Sequence, residues 1–381
     1  MGLDVAGYGL VRSLAHEGVP VLGLWRREDE AARHSRYCTA VEVAPDEEAA
    51  WIGMILELAA RFEQPVLFPS SDRYAAMLAR HRSLLEEVAR FHWVDEGDLE
   101  SVIDKARMHE ACRAAGLPVP LTHHPSEQDL GAQAAGFAFP CLVKPRTTFR
   151  RALPGGEKVT ICRDEDQLLA VYRGHPGLAD ATLWQHIIPG EDDHIYQGTA
   201  LAENGEIRAI ACVRKIRQFT PGFGITSFGV TEWQPEVVEQ TTRLLGALRW
   251  SGLASVEFKR SDADGRWYFI EMNPRLPWYN ALFDRAGINL PHLAWRALTG
   301  GALEPVRQQD GVHWMSLPSD LASFWDRHAH GTMSFADWLP SLAKADSFAW
   351  FDRSDPVPSF ANTARLTSMG LRHIAHGLQN L

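Results

Sequence analysis

No stretch of this 381-residue chain is apolar for long enough to cross a bilayer, and its amino terminus does not read as a signal peptide. No block of lysine and arginine stands against the formal net charge of -10, which argues against nucleic-acid binding by phosphate neutralisation. Basic residues must then answer to local ligands. Cysteine is scarce: Cys38, Cys112, Cys141, Cys162 and Cys212 are dispersed, odd in number and never spaced C-x-x-C. That spacing excludes an obvious disulfide framework or structural zinc site and fits a reducing cytoplasm. There is no internal repeat and no low-complexity tract. The expectation is a cytoplasmic protein with small-molecule partners, no nucleic acid and no membrane; a homodimer is compatible with it.

Hydrophobic residues make up 45% of the chain and charged residues 23%, as in an ordinary globular enzyme, and the length leaves room for two or three domains. The thirteen tryptophans read as core and interface packing rather than as a platform for stacked bases. Along the chain, Gly2 to Leu14 runs into a helix ending near Gly18, and Val19 to Leu24 reads as a strand. A helix over 47–62, a strand over 65–69 and a helix over 73–90 continue the alternation, so residues 1–95 are expected to form a small Rossmann-like α/β domain. Its first strand should precede Gly2, which implies a start upstream of Met1 or a very short first strand. Gly7-Tyr8-Gly9 is a poor dinucleotide fingerprint, because Trp25-Arg26-Arg27 stands where an adenosine ribose needs an acidic residue.

Later elements carry more chemistry. A helix begins at Asp104-Lys105 and stops at Gly116-Leu117-Pro118. Phe139 to Pro145 is a short apolar strand bearing Lys144, followed by a stretch from Arg146 to Lys158 that contains Gly155 and Gly156. A helix over 164–172 leads to a strand over 182–188. Antiparallel strands over 194–214 turn at Glu203-Asn204-Gly205, and Val213 to Gln218 alternates basic with apolar, which places Lys215 and Arg217 on one strand face. Helices are expected over 235–249 and near 289–299. The last 80 or so residues show helical pieces and no assignable chemistry.

Between that helix pair lie Ser255-Val256-Glu257-Phe258-Lys259 and Phe269-Ile270-Glu271-Met272-Asn273-Pro274-Arg275, joined by the polar run Ser261 to Arg266. They read as an antiparallel hairpin. Alternation puts Glu271 and Asn273 on one face, which Glu257 reaches from the partner strand. Two carboxylates and an amide oxygen form a hard-oxygen set suited to Mg²⁺. The spacing alone also suits solvated surface carboxylates, although the apolar flanks make unpaired carboxylates costly. Lys105 and Lys144 are open to the same alternative, as snorkelling surface lysines. Lys215 and Arg217 also suit a protected edge strand.

The run V-E-F-K, turn, I-E-M-N-P-R resembles the metal-binding hairpin of the ATP-grasp superfamily, and the upstream segments resemble the remainder of its pattern in the same order over about residues 100–300. The front domain, with Arg33-His34-Ser35-Arg36-Tyr37, is similar to that of carboxylate–amine ligases related to D-aspartate ligase. The resemblance implies a mixed α/β chain: a Rossmann-like pre-ATP-grasp domain (1–95), a two-lobed α+β ATP-grasp domain (96–300, lobes about 100–185 and 186–300) and a C-terminal extension (301–381). It implies ATP contacts from Lys105, Lys144, a lid with Gly155, Gly156 and Lys158, and a hinge in which Gln185, His186 and Ile188 meet adenine. Asp192, with Glu191 as the near alternative, would hold ribose. Glu257, Glu271 and Asn273 would bind Mg²⁺, with Mn²⁺ as a substitute. Lys215 would meet the γ-phosphate, Arg217 the carboxylate or acyl-phosphate, and Arg275 the charge developing in acyl transfer. Ser70, Ser71 and Asp72 would line the substrate cleft.

The implied activity is ADP-forming ligation of a carboxylate to an amine through an acyl-phosphate. An ATP-dependent carboxylase or carbamoyl-phosphate-type enzyme, and a nucleotide-binding regulatory protein without turnover, are the alternatives.

Overall fold

The computed structural model describes residues 1–26, 30–43, 47–92, 96–147, 153 and 159–366. In the front part, β1 (Leu22–Trp25) and β2 (Thr39–Glu42) pair in parallel, flanked by helices Val5–His16, Glu48–Ala59 and Asp72–Arg80. Asp4 caps the first helix by accepting from the Gly7 amide, which satisfies one of the free amides at its start. The strand expected at 65–69 is reduced to a single parallel bridge between Val66 and Arg90. Met1 and Gly2 lie between this segment and β1: Gly2 N donates to Leu24 O (2.8 Å), and Ser70 N donates to Met1 O (3.1 Å). The helix expected over 73–90 breaks at His81 into Asp72–Arg80 and Arg82–Leu85. Trp51, Ile55, Tyr74 and Met77 fill the core of this part.

A four-stranded antiparallel sheet follows, in the order β3 (Thr122–His123), β6 (Thr182–His186), β4 (Cys141–Pro145), β5 (Thr160–Cys162). The longer sheet has seven strands in the order β11 (Trp267–Asn273), β10 (Gly252–Arg260), β7 (Ile195–Glu203), β8 (Glu206–Phe219), β9 (Ile225–Thr231), β12 (His313–Met315), β13 (Ser347–Phe348). Its β7–β8 turn uses Asn204 and Gly205 at φ +49 and +84, the two left-handed residues that a tight hairpin with the right twist demands. One face packs Tyr196, Val256 and Phe258 against helix Pro235–Ala247 through Val237 and Leu244. On the other face, Leu201, Ala211 and Val213 pack on Tyr279, Leu282, Phe283 and Leu293. The remainder of that second face carries the polar residues described below.

The residues after 300 are no appendage. β12 and β13 complete the long sheet, and helix Leu317–Ala329 packs on β8 and β9. Asp355 joins the last part to the front: it accepts from Tyr8 Oη (3.0 Å), Ser35 Oγ (2.5 Å) and the Arg36 amide (3.1 Å).

Candidate active site

The hairpin forms with the expected antiparallel register. Glu257 on β10 stands directly opposite Glu271 on β11, and Asn273 stands opposite Ser255. A bulge between Glu257 and Phe258 keeps Phe258 and Phe269 on the core face while the carboxylates stay on the other. Asn273 Nδ2 donates to Glu271 Oε1 at 3.2 Å, which aims the amide along the carboxylate row. From two strands away, the Lys215 ammonium meets Glu257 Oε2 at 2.5 Å, with both side chains buried. Gln197, opposite Glu257 on β7, accepts from Tyr279 Oη and completes the row. Neither Gln197 nor Tyr279 was expected; polar residues within the apolar run Ile195 to Leu201 are the sequence signal for the first.

Lys144 enters from the smaller sheet. Its ammonium donates to Gln185 Oε1 at 2.7 Å, and Gln185 Nε2 donates in turn to Thr122 Oγ1 at 3.2 Å. Burial pushes the Lys144 pKa down to about 7, helped by repulsion from Lys105 and opposed by Glu271 and Glu257. Lys105, Lys144, Glu257 and Glu271 therefore share one electrostatic neighbourhood, and the buried cation lacks a full counter-charge. Lys105 opens helix Lys105–Ala114, held by its capping neighbour Asp104, which also pairs with Arg146 Nε (2.8 Å). Beneath it, His109 is buried, its ring nitrogens have no partner among the described residues, and burial pushes its pKa down to about 3. Gly155, Gly156 and Lys158 lie outside the described residues.

Two expected ligand contacts are placed elsewhere. Lys215 and Arg217 do not share a face: Lys215 pairs with Gly229 and Arg217 with Phe228, its immediate neighbour, so the bulge at Ile216 turns Arg217 over. Its guanidinium forms two bonds to buried Asp320 (2.9 and 2.8 Å), one to Ser341 Oγ (3.0 Å), and lies over the Phe228 ring. Ser227 Oγ and Trp338 Nε1 also donate to Asp320, so this ion pair is a sealed structural network. Asp192 is occupied as well. Its carboxylate accepts from the Gln218 amide and side chain, the Gly222 amide and Arg327, which anchors the turn after β8, whereas the neighbouring Glu191 is exposed.

At the hinge, the Gln185 side chain serves Lys144 and the His186 ring lies edge-on to Phe137. Ile188 is half-buried in the loop beyond β6. Arg275 grips Asp72 of the front part through Nε (2.8 Å) and Nη2 (3.3 Å), which couples the end of the hairpin to the segment containing Ser70 and Ser71.

No protein-family model and no curated protein matches the chain in sequence. Solved structures match in shape. Biotin carboxylase from Campylobacter jejuni superposes with a TM-score of 0.62 at 15% identity, over 81% of this chain and 72% of that one. N5-carboxyaminoimidazole ribonucleotide synthetase from Thermus thermophilus gives 0.60 at 16% identity, over 82% and 80% of the two chains. L-amino acid ligase from Bacillus licheniformis gives 0.59 at 16% identity, over 80% and 76%. The fold is ATP-grasp. Lys144 of the smaller sheet lies close enough to Glu257 and Glu271 of the long sheet for their charges to act on it. Among the described residues, no cluster of three or more His, Cys, Asp and Glu is placed to hold a metal. An all-oxygen set of Glu257, Glu271 and Asn273 fits Mg²⁺ or Mn²⁺, with other positions left for water and phosphate.

Proposed function

We propose that the protein is an ADP-forming ligase that joins a small-molecule carboxylate to an amine at the expense of ATP. The observation that supports this reading is the proximity of Lys144 from the smaller sheet to Glu257 and Glu271 of the longer one, with Lys215 paired to Glu257 and Asn273 bonded to Glu271. Lys144, buried and short of counter-charge, binds a nucleotide phosphate with Lys105. Glu257, Glu271 and Asn273 would hold Mg²⁺, which supplies charge neutralisation and alignment of the phosphates when bound. Lys215 then exchanges part of its contact with Glu257 for the γ-phosphate.

The chemistry needs no covalent nucleophile from the protein. A carboxylate oxygen of the substrate attacks the γ-phosphorus, the bond to the bridging oxygen breaks, and ADP leaves. The acyl-phosphate carbon is then attacked by the neutral amine; phosphate departs, and the amine proton passes to phosphate or solvent. Lys144 and Lys215 stabilise the charge that spreads over the phosphoryl oxygens. Arg275, fixed by Asp72, faces the reacting carboxyl from the front part. The neighbouring structures named as an amino acid ligase and a ribonucleotide synthetase support the reading, and ATP, Mg²⁺ and a possible second copy of the chain belong to it.

A second reading uses bicarbonate as the acid, which the likeness to biotin carboxylase favours. Both share the first step and separate at the second. The purified protein is incubated with Mg-ATP and pools of carboxylic acids and amines while ADP and phosphate are measured. ADP release that needs both an acid and an amine supports the ligase. Release driven by bicarbonate without an amine replaces it with the second reading, and tight ATP binding with no release in any pool leaves a regulatory protein.

A further inference from the structure

The five cysteines are dispersed in the sequence, but the fold brings two of them together. Cys141 on β4 and Cys162 on β5 are direct partners in the antiparallel register. Partners in such a ladder stand about 4.5–5.5 Å apart at Cα, inside the span of roughly 4.4–6.8 Å that a disulfide bridges. Both side chains are fully buried in the core of the smaller sheet, among Val143, Leu168 and Trp184. Cys38, Cys112 and Cys212 pack into other cores, and no other two cysteines face each other across a ladder among the described residues.

Contact alone would make them two small apolar side chains. Two further observations give them chemistry. The Cys162 sulfur accepts from the Cys141 thiol, which lowers the pKa of Cys162 and raises that of Cys141, so the pair is biased towards one thiolate beside one thiol. Moreover, β5 is the outer strand of its sheet and only three residues long, held to β4 through Thr160, Ile161 and Cys162. Opening those three pairs lets solvent reach Cys162 without disturbing the ladder between β4 and β6. That ladder carries Lys144 and Gln185 on the face opposite the two thiols.

We infer that Cys141 and Cys162 form a reversible disulfide, a redox modification site that pins the edge strand β5 to β4. The co-reactant is a low-molecular-weight disulfide. The Cys162 thiolate attacks one of its sulfurs and expels the other half as a thiolate, which takes the proton of Cys141. The Cys141 thiolate then attacks the Cys162 sulfur of the mixed disulfide; the bond between the two cysteines forms and the second half leaves as a thiolate. Two protein sulfurs are oxidised, and the small disulfide is reduced to one thiol and one thiolate. The site stands independently of the ligase reading.

The test incubates the folded, intact chain with oxidised glutathione, alkylates the remaining thiols and maps the products by mass spectrometry without reduction. The wild type should lose two of its five thiols to one bond between Cys141 and Cys162, and dithiothreitol should restore both. Amide exchange at Ile161 and Cys162 should slow by about 30-fold or more in the oxidised chain, the low end of what closing a loop of this size contributes. Cys141→Ala should stop at a mixed disulfide of Cys162 with glutathione. The wild-type measurements stand by themselves if that variant fails to fold. A folded wild type that keeps both thiols, or that cross-links only in denaturant, overturns the inference and leaves two small core side chains. A bond to a different cysteine, or unchanged exchange in the cross-linked chain, overturns it as well.

Discussion

The Lys215 ammonium lies 2.5 Å from Glu257 Oε2, and both side chains are buried. A buried pair of this kind is strongly felt when one partner is removed, by about 3–5 kcal/mol, because the other charge is left alone. Lys215→Met is therefore expected to lower the denaturant midpoint, and Mg²⁺ should restore part of the loss by supplying a positive charge to Glu257. A variant as stable as the wild type would mean that Glu257 has another compensating partner.

Glu271 is the more exposed carboxylate of the row, so its replacement disturbs less of the interior than a change at Glu257. Glu271→Gln should leave the unfolding free energy within about 0.5 kcal/mol of the wild type, as for a surface change. ADP release should fall by at least about 10²-fold, the scale for losing one charge-stabilising group. Wild-type turnover would remove Glu271 from the metal set.

The Arg217–Asp320 network predicts the opposite pattern. Asp320→Asn should cost about 3–5 kcal/mol of stability while leaving the KM for ATP unchanged in the folded fraction, because the network faces away from the cleft. A raised KM without loss of stability would return Arg217 to the substrate.

Lys144 gives a pH signature. Its pKa is about 7 in the folded chain against an ordinary 10.5, so between these values the unfolded chain binds more protons and stability rises with pH. Replacing it with Met should stabilise the free protein most below pH 7, with the difference closing as pH climbs towards 10.5. Phosphate binding raises the same pKa, so Mg-ATP binding at pH 8 should take up protons in the wild type and less in Lys144→Met, read by calorimetry in two buffers of different ionisation enthalpy. Equal uptake in both proteins would place the phosphate away from Lys144.

The hairpin was legible because two regularities coincide in it: alternation puts Glu271 and Asn273 together, and the polar turn sets the register against Glu257. The burial of Lys144 was legible from its place inside the apolar run Leu142-Val143-Lys144-Pro145, whereas its bond to Gln185, 41 residues away, was not. Arg217 was misplaced because the same alternation is broken by one unpaired residue, and nothing in the composition of Lys215-Ile216-Arg217 announces a bulge. Asp192 was misplaced because its partners, Gln218, Gly222 and Arg327, are 26, 30 and 135 residues away in the chain. Such long-range demands on a carboxylate leave no local trace.

The bulge at Ile216 has a further meaning for how this chain can change. One extra residue sorts two adjacent cations, sending the earlier one to the cleft and the later one to the scaffold. Deleting Ile216 would close the ladder with Lys215 still opposite Gly229 and Arg217 still opposite Phe228, so each cation would keep its face and the charge of the strand would not change. A single-codon deletion at this point should therefore be tolerated far better than one at a paired position such as Val213, which would shift every later residue against β9 and strike stability and chemistry together.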